Sequence, residues 1–348
     1  MNHLPFDMVV GGRYGRRVAY TDYTSVTADN VAEILGNCIG THNSNKAAIK
    51  YLWNYYKGDQ PILQRRKKVR DDIINRVVEN HAYEIVQFKT GQTYGEPIQC
   101  VSRKTEESVN TAVDELNTFL VDVGKQVRDI KSGEWQSAVG TSFKAVQQVP
   151  DNKDVPFRIT VPSPMNTFVI YSSDSQEPVL AVQEQKEPKG EQYFMCFSRT
   201  HSFKVKRGKV VESKLHTYKD IPIVEYPNNS ERISDIELVI TMLDAINNYQ
   251  SNRIDALEQF VQSWVKFVNC EIDPENFQKM KMSGALVVKS NNGDGKSDVE
   301  IMTQELDQTQ SQIAKDDLWN NVLSISAIPN KQGNTGGDTQ GAVNLSAA

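Results

Sequence analysis

Apolar positions recur at spacings of three and four along one stretch longer than any other in the chain. From about residue 233 to 269, Ile236, Ile240, Leu243, Ile246, Ile254, Leu257, Val261, Trp264 and Val268 form one seam, interrupted at Gln250. Ser234 with Glu237 three residues on is a capping-box signature, so the pattern predicts a helix of roughly 36 residues and about 54 Å. Its other face is largely uncharged (Asn247, Asn248, Ser251, Asn252, Gln259, Gln262). A helix of that length fits a bundle, a coiled coil or a ring of subunits better than one compact core. A small insert follows, with the end of the helix passing into strand over 265–272, a short helix over 274–282, and strands over 285–289 and 299–303. A second helix is predicted over 307–325. It is polar at first apart from Ile313, then carries Leu318, Trp319, Val322, Leu323 and Ile325, and Pro329 ends it.

The region before the long helix mixes both periods. Residues 1–45 read as an irregular arm with turn signals at Gly11-Gly12 and Gly15 and one short helix near 31–35. An aromatic-rich helix is predicted over 47–57, closed by Gly58-Asp59. Further helices are predicted over 70–90, with Gly91 as its stop, and over 106–124, with a short strand over 96–101 between them. From Gly133 to Tyr226 the period falls to two. Strands are expected over 143–149, 157–161, 167–171, 179–185, 192–197, 202–206, 209–215 and 221–226, with Arg207-Gly208-Lys209 as a hairpin corner. The fold class is therefore α+β: an antiparallel sheet region beside helices, followed by a long shaft with a small tip.

At 348 residues the chain can hold two or three domains. Apolar residues at 39% and charged residues at 24% describe a soluble protein, and no run approaches the ~18 apolar residues of a membrane span. With no signal pattern at its start, synthesis in the cytosol is expected. A net charge of −5 argues against wrapping of nucleic acid by a basic face, but suits a channel wall along which DNA slides.

Candidate chemistry is sparse. Cys38, Cys100, Cys196 and Cys270 form no CxxC pair, the five histidines show no HExxH spacing, and no metal or cofactor site is expected. The turn from Ser290 to Ser297 ends in the GKS of a phosphate-binding loop. Ser290 replaces its first glycine, however, and residues 298–301 alternate like a strand where such a loop needs a helix. It reads as a hairpin turn. The dense basic run Arg65-Arg66-Lys67-Lys68 with Arg70 reads either as a solvated loop and helix start or as a contact with DNA or an acidic neighbour. Carboxylate pairs such as Asp71/Asp72, Glu106/Glu107 and Asp316/Asp317 are adjacent, which points their side chains about 100° apart on a helix, so they form no catalytic dyad. Nothing in the sequence specifies catalysis.

Several separated stretches resemble the portal, or head-to-tail connector, proteins of tailed bacteriophages. These are Tyr55-Tyr56-Lys57-Gly58-Asp59-Gln60-Pro61-Ile62, the run from Asn75 to Pro97 with Gly91, Tyr94 and Gly95, the hairpin from Pro164 to Gln183, the helix from Ile233 to Phe260, and Pro329 with the Gly-rich run to Val343. The resemblance implies an arm over 1–45, a wing over 46–232, a first stem helix over 233–268 and a clip over 269–304. It places a second stem helix over 305–327 and the start of a tunnel loop and helix over 328–348. Family members continue through a longer tunnel helix and usually a helical crown, so only the start of that element is expected before Ala348.

The implied assembly is a dodecameric ring at the unique capsid vertex of the virion, a structural protein and not an enzyme. Its implied partners are the duplex passing along its axis, the terminase large subunit, head–tail adaptors, and the major capsid and scaffold proteins, with no membrane. At −5 per copy, twelve copies would carry roughly −60 formal charges, a field that disfavours adhesion to DNA. On this reading Ile236, Ile240, Leu243, Ile246, Leu257, Val261 and Trp264 form the oligomerisation seam. Asn276, Lys279 and Lys281 dock partners at the clip, and Gln310, Lys315, Lys331, Thr335, Thr339 and Gln340 face the tunnel and its DNA. Two other readings are another phage assembly or adaptor protein, and a nucleotide hydrolase using the turn around Lys296.

Overall fold

The computed structural model describes residues 14–67, 72–103, 106–149, 155–188, 190–261, 264–268, 298–302 and 308–330. The chain divides into two compact units, one of Met1–Pro61, Glu79–Asp244 and Asn320–Ala348, the other of Ile62–Val78 and Ala245–Trp319.

The first unit is mixed α+β. Its strands are β1 (Ala19–Thr21), β2 (Thr141–Gln148), β3 (Phe157–Thr160), β4 (Thr167–Ser172), β5 (Pro178–Lys186), β6 (Gln192–Phe197), β7 (His201–Lys206), β8 (Lys209–Leu215) and β9 (Ile223–Pro227). One sheet has the order β1-β4-β5-β6-β7-β8 and a second the order β3-β2-β9. Only β1 and β4 pair in parallel among these described strands.

The strands β4 and β5 are continuous apolar runs because both of their faces are covered. Phe168, Ile170, Leu180 and Val182 join Val31, Ile34, Leu35 and Cys38 in one core, while Val169 and Ala181 join Phe143, Ala145, Ile221 and Ile223 in another. The first core lies under α1 (Val31–Tyr56). At the β7–β8 corner Arg207 and Gly208 both have positive φ, 48° and 73°, as a two-residue turn matched to strand twist requires.

The helices depart further from expectation. α1 is one helix of 26 residues running through the expected boundary at residue 45, where the sequence promised a short turn of helix and a separate one after it. Burial of Val31, Ile34, Leu35 and Cys38 on the same side as Ile49 and Leu52 carries the helix through Gly36 and Gly40, despite the cost of glycine in a helix interior. The expected helix over 70–90 is instead α2 (His81–Tyr94), capped by the Asn80 side chain, and Gly91 lies inside it. No strand forms over 96–101, because the side chain of Asn117 pairs with the backbone N–H and C=O of Cys100 at 2.9 and 3.0 Å. The helix over 106–124 is present as α3 (Glu107–Asp122). A further helix, α4 (Lys125–Val139), forms where none was expected and runs through Gly133, the expected start of the strand-rich region. A Cβ at Gly133 would lie 2.5 Å from the Tyr94 ring, so that glycine sets the close approach of α2 and α4. Trp53 of α1 stacks on Trp135 of α4 with centroids 3.6 Å apart.

The boundary between the units falls within α5 (Ile240–Val261) and within α6 (Gln308–Ile325). The long helix is thus 22 residues, about 33 Å, and shorter than its apolar seam at both ends. Before it, Glu237 and Val239 donate three residues back to Ser234 and Ile236, a turn geometry and not an α-helical one. After it, Trp264-Val265-Lys266-Phe267-Val268 forms β10 (Trp264–Val268), because aromatic and β-branched residues make up four of its five positions and favour a strand. This strand pairs antiparallel with β11 (Asp298–Met302), Trp264 opposite Met302. The rest of the expected insert, including the turn at 290–297, lies outside the described residues. α6 follows the expected limits closely. No described helix is long and apolar enough to cross a membrane.

Candidate functional site

Two polar constellations hold the approach to α5 and its later turns, one in each unit. In the first unit, α4 ends in a left-handed Gly140, φ 87°. A Cβ there would sit 1.9 Å from the carbonyl oxygen of Arg232, so only glycine lets the two backbones meet. The Ser234 hydroxyl and the Asp235 N–H then satisfy carbonyls in the last turn of α4, on Ser137 and Ala138, each at 2.9 Å.

Arg232 donates in a fork to Glu225, Nε to Oε1 at 2.7 Å and a second amine to Oε2 at 2.9 Å, and Tyr171 and Thr141 donate to the same carboxylate. Burial pushes the Glu225 carboxyl up, but Arg232 and the two hydroxyls outweigh it and hold it below its ordinary range. Glu237 is fully buried and pairs with Arg16, while its other oxygen accepts the Ser234 N–H at 2.6 Å. The capping-box bond is therefore real, although the helix proper begins later. Burial raises the Glu237 carboxyl despite Arg16 and two backbone donors, and burial lowers Arg16. On α5 itself Asp244 accepts from the Tyr55 hydroxyl at 2.9 Å, and burial pushes its carboxyl up to about 6.

In the second unit, Asp255 is 3% exposed on α5. It meets Arg65 at 3.1 Å and Lys67 at 2.5 Å, and accepts from the backbone and side-chain nitrogens of Asn75 at 2.7 and 2.9 Å. Burial pushes the Asp255 carboxyl up, but Lys67 and Asn75 outweigh it and leave it below the usual range. Ser251 accepts the Val77 N–H at 3.0 Å, and Arg65 also reaches Asn252. The segment before α2 is therefore not helical, since its N–H groups are taken by side chains of α5. Of the two readings of the basic run, Arg65 and Lys67 meet an acidic group of their own chain, while Arg66 is exposed. The signal for this clasp was the spacing of Ser251, Asn252 and Asp255 on one helix face; the sequence does not reveal which distant cations it meets.

Of the expected seam, Ile236, Ile240, Leu243 and Ile246 are already buried in the single chain, whereas Leu257 is 50% exposed. Val261 is the last residue of α5, and Trp264 opens β10. Gln310 is exposed in the first turn of α6, and Lys315 donates to Gln250 at 3.5 Å. Asn276, Lys279, Lys281, Lys331, Thr335, Thr339 and Gln340 lie outside the described residues. Among the described residues no group of three or more His, Cys, Asp or Glu side chains could hold a metal ion.

No curated protein matches this chain by sequence. Among solved structures it is similar to a chain in the neck of an empty gene transfer agent particle computed with C6 symmetry, at 12% identity and a TM-score of 0.47, covering 74% of this chain and 68% of that one. It is similar to a chain in the virion of the native particle, at 12% identity and 0.47, covering 81% and 71%. A chain in the native neck computed with C12 symmetry gives 13% identity and 0.46, covering 74% and 67%. The family model described as phage portal protein, SPP1 Gp6-like, matches residues 35–348.

Proposed function

This chain belongs to the phage portal protein family, SPP1 Gp6-like, and from that premise we propose that it is a structural subunit of the ring at one capsid vertex through which viral DNA is packaged and ejected. The family match over residues 35–348 is the observation that carries this reading. Wing, stem and clip are proposed near the expected limits, with α5 and α6 as the stem helices, the first ending at Val261 and not 268, and the β10–β11 pair at the base of the clip. The ring has twelve copies, and the duplex passes along its axis past Gln310 and Lys315 of α6 and past Lys331, Thr335, Thr339 and Gln340. Asn276, Lys279 and Lys281 at the clip meet the terminase large subunit during packaging and the head–tail adaptors afterwards, while capsid and scaffold proteins surround the wing.

The role is not catalytic, and a separate motor supplies the work. A net charge of −5 per copy supports sliding of DNA past the wall and not adhesion to it. Leu257, apolar and half exposed on α5, supports contact between stems of neighbouring copies.

The test is a native mass measurement on the purified chain. A closed oligomer of about a dozen copies supports the proposal, a small or filamentous oligomer favours another assembly protein, and a monomer at high concentration rejects it. Nucleotide hydrolysis lost on Lys296→Ala would instead favour an enzyme.

A further inference from the structure

The strand β1 ends a longer segment, residues 15–21, that is bonded to three separate parts of the first unit. Gly15 has a positive φ of 90°, and a Cβ there would lie 2.3 Å from the Glu231 carbonyl oxygen. The Arg16 N–H donates to that same oxygen at 3.1 Å, and the Arg16 guanidinium pairs with the fully buried Glu237. The Asn45 side chain of α1 meets both the N–H and the C=O of Arg17, at 2.9 and 2.8 Å. Ala19, Tyr20 and Thr21 then pair with Ile170, Tyr171 and Ser172 of β4, and the Ser173 N–H donates to the Thr21 carbonyl at 2.9 Å.

The hold on this strap is mostly polar. Of residues 15–21 only Arg16 and Ala19 are buried, while Arg17 and Tyr20 are exposed. β1 has three residues, lies at the edge of its sheet and pairs in parallel, the weaker ladder per residue. A cavity of about 30 Å³ is lined by Arg16, Ala19, His42, Thr167 and Phe168. The Thr167 hydroxyl, on a residue 1% exposed, has no hydrogen-bond partner among the described residues. A strand packed as tightly as a core element would close that space. The strap leaves through residues 22–25, all exposed. It precedes the stretch matched by the family model, whereas Asn45, β4, Glu231 and Glu237 all lie within that stretch.

Main-chain pairing along a sheet edge, with one side chain seated in a deep site, is how a folded domain takes up a separate peptide. We propose that the groove formed by β4, Asn45 and residues 231–237 is a peptide-binding site, filled here by the chain's own residues 15–21, and that its filling fixes the approach to α5. Glu237 links the two events. One of its oxygens takes Arg16 and the other the Ser234 N–H, so release of the strap strips a buried carboxylate of its cation. The groove selects an arginine at the head of the peptide and a small residue three positions on, since Ala19 sits in the core beneath α1. The proposal does not depend on the portal reading.

The test cuts the strap free in the full-length folded chain. A site for a sequence-specific protease is inserted between Tyr23 and Thr24, both exposed, and cleaved after folding. The cut chain is expected to keep its N-terminal piece through gel filtration. A fluorescent peptide of residues 14–23 then exchanges into it and binds saturably, read by anisotropy. The same peptide carrying Arg16→Met binds at least about a hundredfold more weakly, because it leaves Glu237 as a lone buried charge. Arg16→Lys, which keeps the charge but not the planar fork, falls between the two. With either peptide at saturation, the amides of 231–239 exchange hydrogen faster under the Arg16→Met peptide, while those of β6 and β7 do not change.

A cut chain that unfolds makes the strap an inseparable part of the core and overturns the proposal. So does one that stays folded but binds no peptide, or that binds the parent and Arg16→Met peptides alike. None of these results turns on ring formation, so the portal reading is tested separately.

Discussion

Glu237 and Asp255 are carboxylates withdrawn from water, one in each unit, and they are perturbed in opposite directions. Glu237 has one cation, Arg16, and two backbone donors, and burial still raises it. Asp255 has Lys67, Arg65 and both nitrogens of Asn75, and its partners overcome burial. The difference lies in how many cations and donors converge on each carboxylate and in whether those cations still reach water: Arg16 is buried, while Arg65 and Lys67 are partly exposed. A fully buried pair with one cation holds a chain segment in a single place but contributes little net stability, because desolvation cancels most of the attraction. A buried carboxylate ringed by several donors adds stability while its cations, nearer the solvent, stay partly hydrated.

The comparison breaks most sharply if one partner of the buried pair is removed. Glu237→Ala is expected to destabilise the chain by about 3–5 kcal/mol in urea unfolding, since Arg16 is left as a buried charge. Arg16→Met combined with Glu237→Leu should recover most of that loss, and equal losses for the single and double variants would contradict the role assigned to burial.

Asp244 sharpens the same point through pH. With its folded pKa raised to about 6 from an ordinary 3.8, the folded state binds the extra proton between those values. Its contribution is full below about 4 and is lost as pH rises through about 6, by at most about 3 kcal/mol. Asp244→Asn should remove that slope, and an unchanged slope would show that Asp244 ionises normally.

Asp255 carries the opposite sign. Its contribution is present above the ordinary carboxylate value and fades as pH falls through and below it. Asp255→Asn should cost about 1–2 kcal/mol at pH 7 and much less in strong acid.

The smallest effect on stability is expected at Leu257→Asp. The side chain is half exposed, so monomer unfolding should move by less than about 0.5 kcal/mol. Assembly, measured by light scattering, should fall sharply if stems meet there. Full assembly in this variant would show that they do not.

Much of the first unit was legible in the sequence, and the reason is local. The runs 192–197 and 209–215 coincide with β6 and β8 because an aromatic-rich apolar run in the one, and β-branched residues after a glycine turn in the other, specify a strand without distant help. The helices were less legible wherever a distant side chain decides the outcome. Gly133 reads as the start of the strand-rich region until Tyr94 is seen packed over it, and Asn75 and Val77 read as helical until Asp255 and Ser251 take their N–H groups. The polar network could be read only in part. Ser234 with Glu237 announces its own bond, whereas Arg16 lies more than two hundred residues from Glu237 and no local pattern links them. The apolar seam showed which positions leave water, but not that the chain itself buries Ile236 to Ile246 and leaves Leu257 outside.

The most direct measurement is an electron micrograph of the purified full-length chain. The account predicts closed rings viewed end-on, with a central opening wide enough for a DNA duplex and about twelve repeated subunits around it. Single compact particles with no opening, at any concentration tested, would contradict it.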